Sequence, residues 1–162
     1  MHPHAELLTR FYTAFAALDA DTMAACYAPA ARFQDEVFHL NGREEVAGMW
    51  RMLCAAVRAE GDEDWSLTFR DIDADDRSGR AHWEPCYRFS STGRRVHNII
   101  DGVFEFRDGR ILAHRDRFDF WRWSRQALGP AGWLLGWSPL LRRKVQAQAM
   151  RNLRAFLDKQ AG

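Results

Sequence analysis

Apolar positions along the chain follow two different periods. Over residues 6–18, Leu7, Leu8, Phe11, Phe15 and Leu18 recur at three or four residues, the spacing of a helix with one buried stripe. Asp21 is placed to cap a short second helix running to Tyr27, and Pro29 prevents its extension. Residues 31–38 read as a short strand. Asn41-Gly42 then turns the chain into a third helix over residues 43–58, with Val46, Met49, Trp50, Leu53 and Val57 on one stripe. After an acidic loop at residues 61–64 the period changes to two. Residues 65–72, 80–90, 95–106 and 110–120 are rich in aromatic and β-branched side chains, and Gly-containing turns separate them.

Helices followed by a meander of long strands predict an α+β domain: a curved mixed or antiparallel sheet with the N-terminal helices on its concave face. A tail follows. Residues 128–132, Leu-Gly-Pro-Ala-Gly, end any helix that starts near Phe120. Ser138-Pro139 is an N-cap followed by Pro at the first helical position, and Leu141, Val145, Ala149, Leu153 and Phe156 give the last helix its stripe. Trp133, Leu134, Leu135 and Trp137 just before it are expected to form a compact apolar knot. The organisation predicted is a cone-shaped domain over residues 1–123 and a helical extension of the same domain over residues 124–162.

Charge changes the picture of the tail. Residues 1–121 carry 15 basic and 21 acidic side chains, whereas residues 122–162 carry 8 basic and 1 acidic. The tail reads as the solvated face of a helix lying against the acidic body or a partner subunit. No nucleic-acid partner is expected, and contact of the C-terminal helix with a membrane surface remains as the alternative. No signal-like segment opens the chain and no apolar run approaches the roughly 18 residues of a membrane span, so a cytoplasmic protein is expected. Cys26, Cys54 and Cys86 form no Cys-x-x-Cys pattern and read as reduced, buried thiols.

Seven Trp and an aromatic share of 13% exceed what a core of this size needs, which points to an aromatic-lined pocket. Strand alternation then sorts the polar residues. His114, Asp116, Phe118 and Phe120 share one face of the last strand, with Arg115, Arg117 and Asp119 on the other. Trp83, Pro85, Tyr87 and Phe89 go together, opposite His82, Glu84 and Arg88. Phe33 pairs with Asp35, while Asn98, Ile100, Gly102, Phe104 and Phe106 form a further inner face that leaves His97 and Asp101 outside. The predicted site holds Asp35, Asp116 and His114 as proton-handling groups. Tyr87, Asn98, Trp83, Trp50, Phe33, Phe89 and Phe118 form its substrate-binding wall. A carboxylate in an apolar wall is pushed toward the range useful for proton transfer, and two close together titrate apart. Each has a plainer reading: Asp35 as a cap or brace of the Asn41-Gly42 turn, Asp116 as a partly solvated strand-end residue, His114 as a satisfied core histidine, Tyr87 and Asn98 as partners of buried backbone. His114, Asp116 and Asp35 are too sparse a set to predict a metal, and no cofactor is expected.

The string Gly-Val-Phe-Glu-Phe-Arg-Asp-Gly-Arg-Ile-Leu-Ala-His-Arg-Asp-Arg-Phe-Asp at residues 102–119 resembles the last two strands of limonene epoxide hydrolase-type proteins. With the order of elements over residues 5–120, it resembles the superfamily of nuclear transport factor two, ketosteroid isomerase and the SnoaL-like polyketide cyclases. That resemblance implies a cone-shaped fold and commonly a homodimer through the outer sheet face. It places Asp35 where ketosteroid isomerases carry their proton-shuttling Asp, and Asp116 where the hydrolases and cyclases carry an acid/base Asp. The Arg-x-Asp pair of the hydrolases is matched by Pro85 and Tyr87, and the oxyanion Tyr of the isomerases by Phe11, with Tyr12 one position off. The expectation is a small-molecule enzyme performing general acid/base chemistry (isomerase, cyclase or lyase) on an apolar oxygenated substrate. The alternative is a non-catalytic ligand-binding or dimerising domain.

Overall fold

The computed structural model describes residues 1–162. Pro at the first helical position and the His2 ring, which accepts from the His4 N–H, start α1 (Pro3–Ala16). It buries Leu7, Leu8, Phe11 and Phe15 of the predicted stripe together with Ala5, Tyr12 and Ala14, while Leu18 is buried just beyond its end. Asp19, and not Asp21, caps α2 (Ala20–Ala25), accepting from the Thr22 backbone and hydroxyl. The helix stops short of Tyr27 because that residue already opens β1 (Tyr27–Gln34), four residues earlier than the pattern suggests. Pro29, which cannot donate to a ladder, falls where the β1 register shifts between Tyr27 and Arg32. β2 (His39–Asn41) leads through Gly42, at φ 91°, into α3 (Arg43–Ala59).

The strands β3 (Ser66–Ala74), β4 (Ser78–Arg88), β5 (Arg95–His97), β6 (Ile100–Arg107) and β7 (Arg110–Arg117) complete one curved sheet in the order β2-β1-β7-β6-β4-β3, with β5 also on β4. β1 and β7 run parallel and every other pair is antiparallel, so the sheet is mixed. The run predicted as one strand over 95–106 is broken after His97, where the Asn98 side-chain oxygen accepts from the Ile99 N–H. Residues 118–120 leave the sheet: Asp119 accepts from the Arg122 N–H and caps α4 (Phe120–Leu128). α5 (Pro130–Leu135) and α6 (Pro139–Ala161) follow, with Ser138 capping α6 as predicted.

α1 and α3 pack their apolar stripes on the concave sheet face. Phe11, Phe15, Trp50, Trp83 and Phe104 meet there with Tyr12 and Tyr27 in one buried cluster. α6 returns across α3, where Gly48 leaves room for Leu153 and Leu157. The tail therefore closes the wide end of the cone rather than trailing from it. The apolar knot is not found: Trp133, Leu134, Leu135 and Trp137 all stand exposed. Cys26 and Cys54 are buried free thiols, but Cys86 is only half-buried, because it lies on the face of β4 opposite Trp83 and Pro85. That outer face is charged. His82 bridges Glu84 and Asp101, and His97 meets the other oxygen of Glu84.

Candidate acid-base site

Between the sheet, α3 and the C-terminal helices lies a cavity of about 520 Å³, lined mostly by apolar side chains. Asp35, Asp116, Tyr87, Asn98, Trp83, Trp50, Phe89 and Phe118 all line it. Phe33 and His114 do not. Both rings are drawn into the core behind the wall, 4.9 Å apart, and Phe33 also packs on Trp50 at 5.4 Å. The cavity further takes Arg88, Trp123, Val145 and Asn152. Arg88 is the last residue of β4, and its guanidinium turns to Asp64 and the Gly93 carbonyl. The α6 residues reach the wall through a long-range return that no local pattern carries.

The two carboxylates meet through the parallel pairing of β1 and β7. Phe33 is opposite His114 and Gln34 opposite Arg115, so Asp35 and Asp116 come next on neighbouring strands. At Asp35 the chain bends. Its Oδ1 accepts from the backbone N–H of Val37 at 2.7 Å and of Phe38 at 2.6 Å. The residue is therefore both a turn brace and a cavity wall, although the turn it braces is the one at residues 35–38, not Asn41-Gly42. Burial outweighs those two donors and raises its carboxyl to about 7, with the charges of Asp116 and Glu36 adding to the rise.

Asp116 is held differently. Its Oδ1 lies 2.9 Å from His114 Nε2 and accepts from the Trp83 indole N–H at 3.3 Å. His114 Nδ1 lies 2.8 Å from the Tyr27 hydroxyl, which accepts from the Trp50 indole N–H at 3.0 Å. Hydrogen-bond direction follows from counting protons. An indole N–H can only donate, so Tyr27 accepts from Trp50 and must give its own proton to Nδ1. With Nδ1 accepting from Tyr27 and Nε2–H donating to Asp116, all four buried groups are satisfied. A second proton on Nδ1 would leave the Tyr27 hydroxyl without an acceptor. His114 and Trp83 thus hold one oxygen of Asp116, and the other carboxylate oxygen has no protein partner. Neither Tyr27 nor its link to Trp50 could be anticipated from spacing, since the partners lie 87 and 23 residues apart.

Close approach protects this arrangement. Gly102 faces Asp116 across the β6–β7 ladder, and a Cβ there would lie 2.8 Å from Asp116 Oδ1. On the opposite side of the cavity Tyr87 accepts from the Trp123 indole at 2.9 Å, which leaves its hydroxyl proton for a ligand. Burial raises that phenol to about 12, so it stays a donor at neutral pH. The Asn98 carbonyl oxygen is taken by the Ile99 N–H, which leaves its NH₂ for the cavity. Tyr12 is enclosed behind this wall, packed on Trp83 at 5.8 Å, and its hydroxyl has no partner. Burial and the negative field of Asp116 hold that phenol well above its ordinary range. No group of three His, Cys, Asp or Glu side chains is arranged to hold a metal ion.

A cone of mixed sheet closed by helices, with two carboxylates facing one apolar cavity, defines the class of small α+β pocket proteins resembling ketosteroid isomerase. Residues 8–114 match the model of the SnoaL-like domain, and the chain belongs to that family. No protein of curated function matches it. Solved structures share its fold. A Mycobacterium tuberculosis epoxide hydrolase of the limonene epoxide hydrolase-like kind is 23% identical, with a TM-score of 0.58 over 86% of this chain and 95% of its own. A Catenulispora acidiphila protein of ketosteroid isomerase-like fold, solved with trimethylamine, is 15% identical, with a TM-score of 0.65 over 79% of this chain and 96% of its own. TsrD from Streptomyces laurentii is 23% identical, with a TM-score of 0.61 over 75% and 91%.

Proposed function

We propose that this protein is a small-molecule enzyme that moves protons on an apolar, oxygenated substrate, with Asp116 as general base and Asp35 as general acid. The observation that carries the reading is the pair of unlike carboxylates on one apolar wall. Asp35, raised to about 7, retains a proton to donate near neutral pH. Asp116 has one oxygen fixed by His114 and Trp83, and its second oxygen is the one free to take a proton. His114 acts as a positioning residue. The Tyr87 hydroxyl and the Asn98 NH₂ supply the donors that fix a substrate carbonyl or hydroxyl among the aromatic rings.

The chemistry this supports is proton abstraction beside a carbonyl followed by protonation elsewhere, the common core of isomerisation, cyclisation and elimination. Epoxide opening of the hydrolase type has no support here, because Pro85 and Tyr87 stand where that chemistry carries Arg and Asp. A library of steroids, polyketides and terpenoid ketones, incubated with enzyme in deuterated water and followed by mass spectrometry, tests the reading. At least one class is expected to isomerise, cyclise or take up deuterium. Asp116→Asn, which keeps the size and one acceptor, is expected to slow it by about 10²–10⁴-fold with the fold retained. Undiminished turnover in Asp116→Asn sinks the assignment.

A further inference from the structure

The C-terminal helices carry a second feature that the cavity does not use. Trp133, Leu134, Leu135, Trp137 and Leu140 stand 51–73% exposed at the apex where α5 passes into α6. The apex is built rather than frayed. Gly132 and Gly136 pack so closely on Ser124 that neither has room for a side chain. The Arg125 guanidinium lies over Trp121 at 4.0 Å and over Trp133 at 4.8 Å. The Trp137 indole N–H donates to the Leu134 carbonyl at 3.0 Å, so the ring can enter an apolar medium with its polar atom already satisfied.

Along the segment that forms this apex the charge is of one sign. Residues 120–157 hold seven Arg and Lys and no acidic side chain. Arg94, Arg95, Arg122 and Arg125 converge with Gln126 and Trp133 on one cleft at the foot of the apex. Arg95 pairs with Asp64 at 3.2 Å, whereas Arg94, Arg122 and Arg125 have no carboxylate within ion-pair distance. The Nε of Arg122 and the Nε of Arg125 are both buried without a partner. Several guanidinium groups around one open cleft, with their terminal nitrogens outward of those buried Nε atoms, suit phosphate. Tryptophan with leucine at the tip and arginine behind it is the arrangement that seats a protein in the headgroup layer of a bilayer.

We propose that this apex is a docking surface for anionic phospholipid bilayers, with Trp137, Leu134 and Leu140 entering the interface and the Arg94–Arg122–Arg125 cleft taking lipid phosphates. A second copy of the chain is the poorer occupant, since a two-fold contact would set the unpaired arginines against one another. The surface stands independently of the acid-base reading. α4 and α6, however, carry both features, because Trp123, Leu128 and Val145 line the cavity.

Co-sedimentation of the full chain with vesicles of phosphatidylglycerol and phosphatidylcholine, against vesicles of phosphatidylcholine alone, tests it. Binding is expected to be about tenfold or more tighter to the anionic vesicles, to weaken with salt and to shift tryptophan emission to the blue. The double variant Leu134→Glu, Trp137→Glu changes only exposed side chains and is expected to abolish binding while keeping the wild-type melting temperature. Arg122→Gln with Arg125→Gln is expected to remove the preference for anionic lipid. Absence of binding to the anionic vesicles overturns the proposal. So does equal binding by wild type and the Leu134→Glu, Trp137→Glu variant, or a wild-type dimer that this variant splits into monomers.

Discussion

An aspartate in water gives up its proton near about pH 4; Asp35 keeps its own to about 7 because the cavity wall withholds water from the charge. Its folded-state value is therefore raised above the unfolded one. The sign follows from proton counting: between the two values the folded chain binds the extra proton, so the stability owed to this group is full in acid and is lost as pH rises toward about 7. Asp35→Asn retains the acceptor for Val37 and Phe38 without the charge. Urea unfolding is expected to show its advantage over wild type growing by about 2–3 kcal/mol from about pH 5 to about pH 8. Parallel curves at both values would mean that Asp35 is not held protonated. At Gly102 the constraint is steric. Gly102→Ala would press its methyl against Asp116 Oδ1, 2.8 Å away, and is expected to cost about 1–3 kcal/mol in unfolding free energy. Its tell-tale is a loss of turnover larger than any loss of substrate binding, because the carboxylate and not the apolar wall is displaced. The sequence made the pairing of Asp116 with His114 legible, since they are two apart on one strand face. It left the role of His114 open, because only the Tyr27 hydroxyl and the Trp50 indole decide which nitrogen carries the proton.

Among the elements, α3 and α6 show where local pattern stops being informative. The α3 stripe was readable because Val46, Met49 and Trp50 recur at helical spacing, and all three are buried. α6 was readable as a helix from Ser138-Pro139, yet its destination was not. Only Leu153 of its stripe is fully buried, and it lies against Gly48 on α3. Arg142 reaches Glu36 at 2.9 Å, and Gln146 donates to the Glu36 carbonyl. Leu153→Ala is expected to cost about 2–5 kcal/mol, read from the urea midpoint by tryptophan fluorescence. It should also speed hydrogen exchange along α6 before the strands are affected. A change below about half a kcal/mol would show that α6 is not anchored there. Strand ends were misjudged for a similar reason. Residues 118–120 look like strand by composition, but Asp119 caps a helix that starts at Phe120, and the burial of Phe120 with Trp123 favours that ending.

The whole molecule is a cone whose wide end is closed by its own C-terminal helix over an apolar cavity of about 520 Å³. No helix is long and apolar enough to cross a membrane. A ligand that fills the cavity binds the folded chain alone and must stabilise it, by about 2.7 kcal/mol at a hundredfold excess over Kd. Thermal-shift screening of rigid apolar ketones against linear fatty acids is expected to favour the former, since Tyr87 and Asn98 offer donors to an oxygen set among aromatic rings. A screen in which no apolar compound raises the melting temperature would contradict ligand binding altogether. The sequence alone determined the α+β architecture, the SnoaL-like resemblance and the inward faces of the strands, because hydrophobic period and turn residues act over a few positions. Tertiary structure decided the rest. The bend at Asp35 brought its carboxylate to the wall beside Asp116. The core drew Phe33 and His114 behind that wall, and the return of α6 finished the cavity. It also left Trp133, Leu134, Leu135 and Trp137 outside, because the packing of Gly132 and Gly136 on Ser124 turns the α5 side chains away from the core. These outcomes rest on contacts between residues far apart in sequence, which no local spacing encodes.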